Sequence, residues 1–439
     1  MRRGNLIGIV VFKLTTNPAP IRRRSMKPYM FRTFVSGLLL ASSVACAHDV
    51  SPESQSDGTV VGTENSLPKY APAIPDSADI DAEARRLMEA HNLPGLALAV
   101  VDKGEVVFME TYGARSLDPL LPLEADTVMY GASLTKFVFA NFLMQQVEQG
   151  KLDLDVPLAT YFSKPLPDYE EWADLADQPQ WQDLTLQHVL MHTTGWANYR
   201  FFPPETNYAY TPGAKLRFFY EPGERYGYSG EAFILAQRVL EEYLGMDVAK
   251  EMHDALFEPL GMSRTSMIWQ EAFADNFARG YDVDGNNLGH NLQDNARAAG
   301  SMDTTLQDYT AFVTAFLAGD VVSPETRDAM LEPLLAITSD TKFPTLERGS
   351  DPERNRAVNL SVGLGFVVWD GPHGHGFMKA GHNEKTDNMM LCLSETGQCV
   401  IALMNTAKGD LVYPDLVEFI LGGTGFPWDW EYASLNKAG

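Results

Sequence analysis

Strand-like patterns occur near both ends of this chain, and helical patterns fill the middle. An apolar run at 95–101 and a second one that begins at 105 are separated by a turn at 102–104, which predicts a β-hairpin. Strand patterns return at 362–369 and recur up to 405. The order predicts an α+β fold in which one antiparallel sheet, flanked by helices, is built from both termini, with a mostly helical lobe inserted between its two groups of strands.

The first 47 residues carry eight Lys or Arg and no Asp or Glu. A basic group at 22–24 precedes a short apolar run at 34–44, and Ala45-Cys46-Ala47 forms an A-x-A cleavage site. This order is typical of a signal peptide and predicts a periplasmic or secreted protein. A second interpretation is a lipoprotein acylated at Cys46, because the residues before it fit part of a lipobox.

The overall charge limits the partners of the chain. The formal net charge is -24, with 58 acidic residues against 34 basic ones. A surface this acidic repels phosphate backbones and anionic lipids. We therefore expect no nucleic acid partner, and membrane contact only if Cys46 is lipidated.

The segment Ser133-Leu134-Thr135-Lys136 has the form S-x-x-K and leads into an apolar helical run. Residues three apart on a helix lie on one face, so the lysine nitrogen is expected beside the serine hydroxyl. A serine hydroxyl becomes a nucleophile when a neighbouring base takes its proton. A lysine can be that base if burial or nearby positive charge lowers its pKa.

Two further segments follow in order, Tyr226 to Gly230 and Lys379-Ala380-Gly381. Together with the S-x-x-K segment they resemble the serine β-lactamase and penicillin-binding protein superfamily. The resemblance is to the class C β-lactamase branch, with its relatives the family VIII carboxylesterases and the D-alanyl-D-alanine carboxypeptidases. It covers roughly 80–425 and includes three more matching segments, at 184–195, 258–262 and 298–305.

The resemblance implies a role for each matching residue. Ser133 would be the acylated nucleophile and Lys136 would share its proton. Tyr228 would be a general base in acylation and a proton donor to the leaving group, with its phenolate favoured by the two lysines. Lys379 would supply a positive field near Tyr228 and toward a substrate carboxylate.

The resemblance also implies where the substrate lies. The backbone N–H groups of Ser133 and His382 would form the oxyanion hole. Gly230 and Gly381 would lie in the substrate-binding part of the site. No metal or cofactor is implied.

Two positions depart from the family pattern. Gly230 stands where the second motif ends in Asn, and Ala380 stands where class C enzymes carry Thr. The leading interpretation is an exported serine hydrolase that cleaves β-lactam or D-alanyl peptide amide bonds of a small-molecule or peptidoglycan-derived substrate. A carboxylesterase is one alternative. A penicillin-binding or cell-wall-binding protein without turnover is another.

These patterns divide the chain into four expected segments: a signal peptide over 1–47, a disordered tether over 48–79, a β-lactamase-like catalytic domain over 80–425 and a C-terminal tail over 426–439. Within the catalytic domain, we expect an α/β lobe from 80–125 plus 321–425, and a helical lobe over 126–320.

Several other residues have competing interpretations. Ser229 nearly completes a G-x-S-x-G motif, but no strand directly precedes it. A metal interpretation of His373, His375 and His382 lacks a matching carboxylate spacing, and His192 is expected to be structural. Cys392 and Cys399 form either a cross-strand disulfide or two separate buried thiols. The aromatic residues between 196 and 220 either pack the helical lobe or line the acyl pocket.

Overall fold

The computed structural model describes residues 71–343 and 350–435, which lie in one unit of the chain, Glu64–Gly439. The expected signal peptide, the lipidation at Cys46 and the tether up to residue 70 lie outside the described residues. The helices are α1 Ser77–His91, α2 Leu134–Glu148, α3 Leu186–Leu190, α4 Gly230–Glu242, α5 Val248–Met252, α6 Leu306–Ala318, α7 Pro324–Leu331, α8 Glu353–Ala357, α9 Tyr413–Leu421 and α10 Trp428–Glu431.

The strands are β1 Gly95–Asp102, β2 Glu105–Leu117, β3 Leu120–Pro122, β4 Met129–Tyr130, β5 Gly280–Tyr281, β6 Asn287–Gly289, β7 Asp303–Thr304, β8 Leu335–Ala336, β9 Ser361–Val362, β10 Val367–Gly371, β11 Gly374–Asn383, β12 Thr386–Leu393 and β13 Gln398–Met404.

The main sheet is antiparallel and draws on both ends of the described chain. Its nine strands lie in the order β3-β2-β1-β13-β12-β11-β10-β9-β8. Strand β1 pairs with β13, from Leu96 opposite Met404 to Val101 opposite Cys399. The predicted α+β class and the sheet built from both termini are confirmed.

Helices cover both faces of the centre of this sheet. Every residue of β12 and β13 is buried, and the side chains of a strand alternate between two faces. Helices α6 and α9 both contact β13, and α2 contacts β11. The contact between α2 and β11 matters most here, because these elements carry two of the three predicted motifs.

The predicted strand over 362–369 is interrupted. Strand β9 ends at Val362 and β10 begins at Val367. Between them, Gly365 has a φ of +102°, and its N–H donates to the Leu190 carbonyl (3.0 Å). A Cβ at this position would lie 2.6 Å from the Cβ of Ala140 on α2, so only glycine allows this close approach.

Cys392 and Cys399 lie directly opposite each other on β12 and β13 and form a disulfide. Of the two interpretations left open by the sequence, the cross-strand bridge is the one found.

The segment expected to form a tail after residue 425 packs against the domain instead. Phe426 and Trp430 are buried, and the Trp430 indole N–H donates to the Ser339 hydroxyl (3.2 Å). Helix α10 therefore belongs to the folded domain. Within the described residues, no helix combines the length and apolar content that crossing a bilayer requires.

Candidate active site

A strained turn presents Ser133 at the start of α2. Ala132 has a φ of 47°, in the left-handed region that costs a non-glycine residue about 1–2 kcal/mol. The Thr135 hydroxyl donates to the Ala132 carbonyl (2.6 Å) and accepts from the Met302 N–H (3.1 Å). The Gly131 N–H donates to the Met302 carbonyl (2.8 Å). These bonds hold the turn so that Ser133 stays half-buried and open to the cavity beside it.

Lys136 lies one turn further along α2 and contacts the serine. Its Nζ is 3.1 Å from Ser133 Oγ and donates to the Ala299 carbonyl (2.5 Å). Burial, and after it the positive charge of Lys342, lowers the pKa of Lys136 well below its ordinary value. A neutral amine offers a lone pair to the Ser133 proton, so this geometry suits Lys136 as a general base.

Tyr228 lies in the loop before α4, with its ring stacked on His192 at 4.2 Å between centroids. Its hydroxyl accepts from Lys379 Nζ at 3.5 Å. Burial raises the pKa of Tyr228 far above its ordinary value, and a hydrogen bond with Ser133 offsets this only in part. This direction opposes the phenolate expected from the sequence and favours a neutral phenol, which can donate a proton but is a poor base.

Lys379 on β11 contacts both the hydroxyl and the ring of Tyr228. Its Nζ lies 4.8 Å from the centroid of the Tyr228 ring, and its side chain is buried. Burial, followed by the charges of Lys342 and Lys136, lowers the pKa of Lys379 well below its ordinary value. Lys379 is not among the described residues that line the cavity. The positive field of Lys379 toward a substrate carboxylate stays a prediction.

The backbone of strand β11 packs closely against the start of α2 at Gly381. A Cβ on Gly381 would lie 2.6 Å from the Leu134 nitrogen and 2.9 Å from the Ser133 nitrogen, so the backbone approach requires glycine. His382 follows Gly381 and lines the cavity together with Ser133. The oxyanion hole from the N–H groups of Ser133 and His382 remains a prediction, and both residues line the cavity.

Gly230 begins α4 and contacts a tyrosine ring. A Cβ on Gly230 would lie 2.7 Å from Cζ of Tyr199, so the ring occupies the place of a longer side chain at 230. The Tyr199 ring stacks on Phe201 with 5.1 Å between centroids and 7° between planes. Burial raises the pKa of Tyr199 to about 12, so its hydroxyl is neutral at physiological pH. The aromatic segment thus both packs the lobe and lines the pocket.

The cavity beside Ser133 has a volume of about 570 Å³. It is lined by Tyr130, Ala132, Ser133, Lys136, Glu171, Asn198, Tyr199, Arg200, Phe201, Tyr228, Glu231, Ile234, Arg297, Ala299, Gly300, Lys342, Phe343, His382 and Asn383.

Sequence reasoning missed several charged residues of this site, and Lys342 and its partner Glu431 are the two that lie beside the predicted lysines. Lys342 lines the cavity and is almost fully buried, and its Nζ lies 2.5 Å from Oε1 of Glu431 on α10. Lys342 belongs to no motif, and Glu431 lies in the segment interpreted as a tail. Neither residue carries a local signal, because only the folded chain brings 342 and 431 together.

The competing candidates occupy structural positions. Ser229 is fully buried and caps α4, since its Oγ accepts from the Ala232 N–H (3.2 Å) and donates to the Ala197 carbonyl (2.9 Å). His192 is buried under Tyr228, and its Nδ1 accepts from the Ser229 N–H (3.1 Å).

The described residues contain one cluster with metal-ligand spacing, and it includes none of the three histidines considered from the sequence. It consists of the exposed side chains of His253, Asp254 and Glu258. Exposed groups of this kind carry no argument for a metal.

Comparisons with known proteins concern the family and the fold of the chain. The sequence profile of the family described as "Beta-lactamase" matches residues 80–420 of the chain. "Unguisins hydrolase ungD" of Aspergillus violaceofuscus is 26% identical over 220 residues, which cover 48% of this chain and 38% of that protein. "D-alanyl-D-alanine-carboxypeptidase/endopeptidase AmpH" of Escherichia coli K12 is 26% identical over 244 residues, which cover 53% of this chain and 56% of AmpH.

The chain thus spans about half of the length of AmpH and less than half of the length of the unguisins hydrolase. Among solved structures, an octameric penicillin-binding protein homologue from Pyrococcus abyssi superposes with a TM-score of 0.63, at 19% identity over 79% of each chain. At this identity the similarity concerns the fold.

Proposed function

Because the chain belongs to the β-lactamase family, we propose that it is a serine hydrolase that works through an acyl-enzyme on Ser133. The observation that carries the proposal is the 3.1 Å contact between Ser133 Oγ and the Nζ of a buried lysine, at the wall of a large cavity. We propose amide bonds of β-lactam or D-alanyl peptide type as the substrate. The similarity to AmpH, a D-alanyl-D-alanine-carboxypeptidase/endopeptidase, supports this choice of substrate.

The groups around Ser133 can carry out acyl transfer in balanced steps. The Lys136 amine takes the Ser133 proton, and Oγ attacks the acyl carbon. Backbone N–H groups of Ser133 and His382 stabilise the developing oxyanion. Tyr228 donates its proton to the leaving group and is reprotonated by the Lys136 ammonium. The neutral Lys136 amine then takes a proton from water, whose oxygen attacks the acyl carbon. The bond between the acyl carbon and Ser133 Oγ breaks, and the Lys136 ammonium returns the proton to Oγ.

Exchange of Tyr228 for phenylalanine tests the proton donor. We expect Tyr228→Phe to lower kcat for an amide substrate at least about 100-fold, because a positioned acid contributes about 10²–10⁴. An ester with a p-nitrophenolate leaving group needs little protonation and should lose much less. Equal losses for the two substrates would contradict a donor role, and steady-state kinetics on both measure it.

The contact between Gly230 and Tyr199 favours a second candidate, a carboxylesterase. An ester substrate needs no amide-binding side chain at 230, where the Tyr199 ring now lies. If the ring excludes such a side chain, Gly230→Asn alone should cost about 1–3 kcal/mol of stability through overpacking. Tyr199→Ala combined with Gly230→Asn should recover part of that loss, which urea unfolding of the two single variants and the double variant measures.

The same double variant should shift the ratio of amide to ester turnover toward the amide. A ratio equal to that of the wild-type protein would contradict a role of Tyr199 in substrate choice. Tyr199→Phe is the matched control for loss of the hydroxyl alone.

A side-by-side assay separates the candidate functions. We expect turnover of nitrocefin or of a D-alanyl-D-alanine peptide if amide hydrolysis is correct. Turnover of a short p-nitrophenyl ester alone would favour the carboxylesterase. Stoichiometric labelling by a fluorescent penicillin, with no turnover of any of these, would support a penicillin-binding or cell-wall-binding protein instead.

We further propose that the protein acts in the periplasm or as a secreted enzyme on a small-molecule or peptidoglycan-derived substrate. The basic and apolar pattern of residues 1–47 supports export. Detection of a protein that begins after Ala47 in the periplasmic or extracellular fraction tests it.

A further inference from the structure

Lys342 is held in the wall of the active site by the C-terminal segment. Its backbone N–H donates to the Trp430 carbonyl (2.7 Å), and its Nζ forms an ion pair with Glu431 at 2.5 Å. The side chains of the pair are 5% and 1% exposed. The neighbouring Phe343 packs edge-on against the Tyr228 ring with 5.2 Å between centroids.

Three lysine nitrogens surround the ring of Tyr228. The Nζ atoms of Lys136, Lys379 and Lys342 lie 4.9, 4.8 and 5.2 Å from its centroid. Among the ion pairs of the described residues, Lys342 alone of the three has a carboxylate partner. A buried ammonium group is stable when a carboxylate is paired with it. Of the three lysines, Lys342 is therefore the one whose positive charge is balanced by a carboxylate.

We propose that Lys342 is a positioning residue for acyl transfer, whose charge, held by Glu431, keeps Lys136 as the neutral amine that takes the proton of Ser133. The inference rests on the proposed function and assigns a charge-setting role to a residue outside the three motifs. Lys342 acts through Lys136 and bonds neither Ser133 nor the leaving group.

The direction follows from like-charge repulsion in a buried site. A fixed ammonium group disfavours a second one nearby, and it acts strongly where water is excluded. The charge of Lys342 contributes to the lowered pKa of Lys136 and also to the lowered pKa of Lys379. The titratable groups in contact with this cluster include Tyr130, His192, Tyr199, Tyr226, Tyr228, His382 and Glu431. Glu171, Arg200, Glu231 and Arg297 line the same cavity.

Two substitutions together test the charge while leaving no unpaired ion. Lys342→Met alone would leave the Glu431 carboxylate buried without its ion-pair partner. The principal variant therefore combines Lys342→Met with Glu431→Gln. Without the Lys342 charge, the pKa of Lys136 rises, and the acid limb of kcat/KM moves to higher pH. We expect at least about a tenfold loss at pH 6, with a smaller loss at the alkaline end.

Lys342→Arg keeps the charge and should keep the wild-type pH profile. Lys385→Met is a matched control, because Lys385 is also buried but hydrogen-bonds Asn291 away from the cavity (2.7 Å). An unchanged acid limb in the Lys342→Met, Glu431→Gln protein overturns the proposal, as does a rise in KM with the acid limb in place, which would assign Lys342 to substrate binding.

A second measurement needs no substrate. In protein labelled with ¹³Cε-lysine, NMR titration follows the Lys136 resonance, identified by its loss in Lys136→Met. An upward shift of its midpoint in the double variant supports the inference, even if none of the tested substrates is turned over and the proposed function fails. If the wild-type protein is active and the Lys136 midpoint of the double variant equals that of the wild type, the inference is overturned and the proposed function stays intact.

Discussion

Exchange of Ser133 for alanine should lower kcat at least about 10⁴-fold for whichever substrate the protein hydrolyses. The nucleophile forms the only covalent bond with the acyl group, and neighbouring residues cannot replace it. Stopped-flow or long-time steady-state assays at matched protein concentration measure the loss. The substitution removes one half-buried hydroxyl, so the fold should persist in circular dichroism.

Ser229→Ala is the matched control for this experiment. Ser229 is the rival serine from the sequence, and its hydroxyl is committed to the cap of α4 and to the Ala197 carbonyl. We expect this variant to lose about 1 kcal/mol of stability, as for other N-cap substitutions, and to retain turnover. Full activity of Ser133→Ala, or loss of all activity in folded Ser229→Ala, would contradict the assignment of the nucleophile.

Exchange of Lys136 for methionine should lower kcat/KM about 10³-fold or more. The amine that accepts the Ser133 proton is lost, and a positioned base contributes about 10²–10⁴. Methionine has a similar length and no charge, so the buried site of Lys136 should accept it. The pH dependence of acylation by a fluorescent penicillin measures the effect.

The pH profile distinguishes the base from its neighbours. Because the pKa of Lys136 is lowered, the wild-type rate should rise with pH as the ammonium loses its proton and should level off below the ordinary range of a lysine. Lys136→Met should remove this acid limb. A residual rate that keeps the same limb would assign the base to another group.

The sequence predicted the sheet because its signals are local. Apolar runs broken by turns identified β1 and β2, and the strand patterns near the C terminus identified β11 to β13. The expectation of one sheet followed from the need to bury both groups of strands together, but it did not specify that β1 pairs with β13. The interruption at Gly365 was missed because it depends on the close approach of Ala140 on α2, which no local pattern contains.

The sequence predicted the part of the candidate site that depends on local spacing and on the order of the motifs. Spacing along a helix placed Ser133 beside Lys136, and the order of the motifs implied Tyr228 and Lys379. Desolvation could not be read from the sequence, so the expected phenolate of Tyr228 contrasts with the raised pKa in the folded protein.

The contact between Lys342 and Glu431 joins positions 89 residues apart in sequence, and no motif includes either. The pairing of Gly230 with Tyr199 is likewise a tertiary contact. The sequence showed that an asparagine is absent at 230 but could not indicate what fills the space.

Labelling with a fluorophosphonate, followed by tandem mass spectrometry, tests the central claim most directly. The reagent attaches to an activated serine irreversibly, so it reports the nucleophile without knowledge of the substrate. We predict one phosphonyl group per molecule, located on Ser133 and absent from Ser133→Ala. A phosphonyl group on Ser229 or on another serine, or no label on a protein that hydrolyses its substrate, would contradict the account.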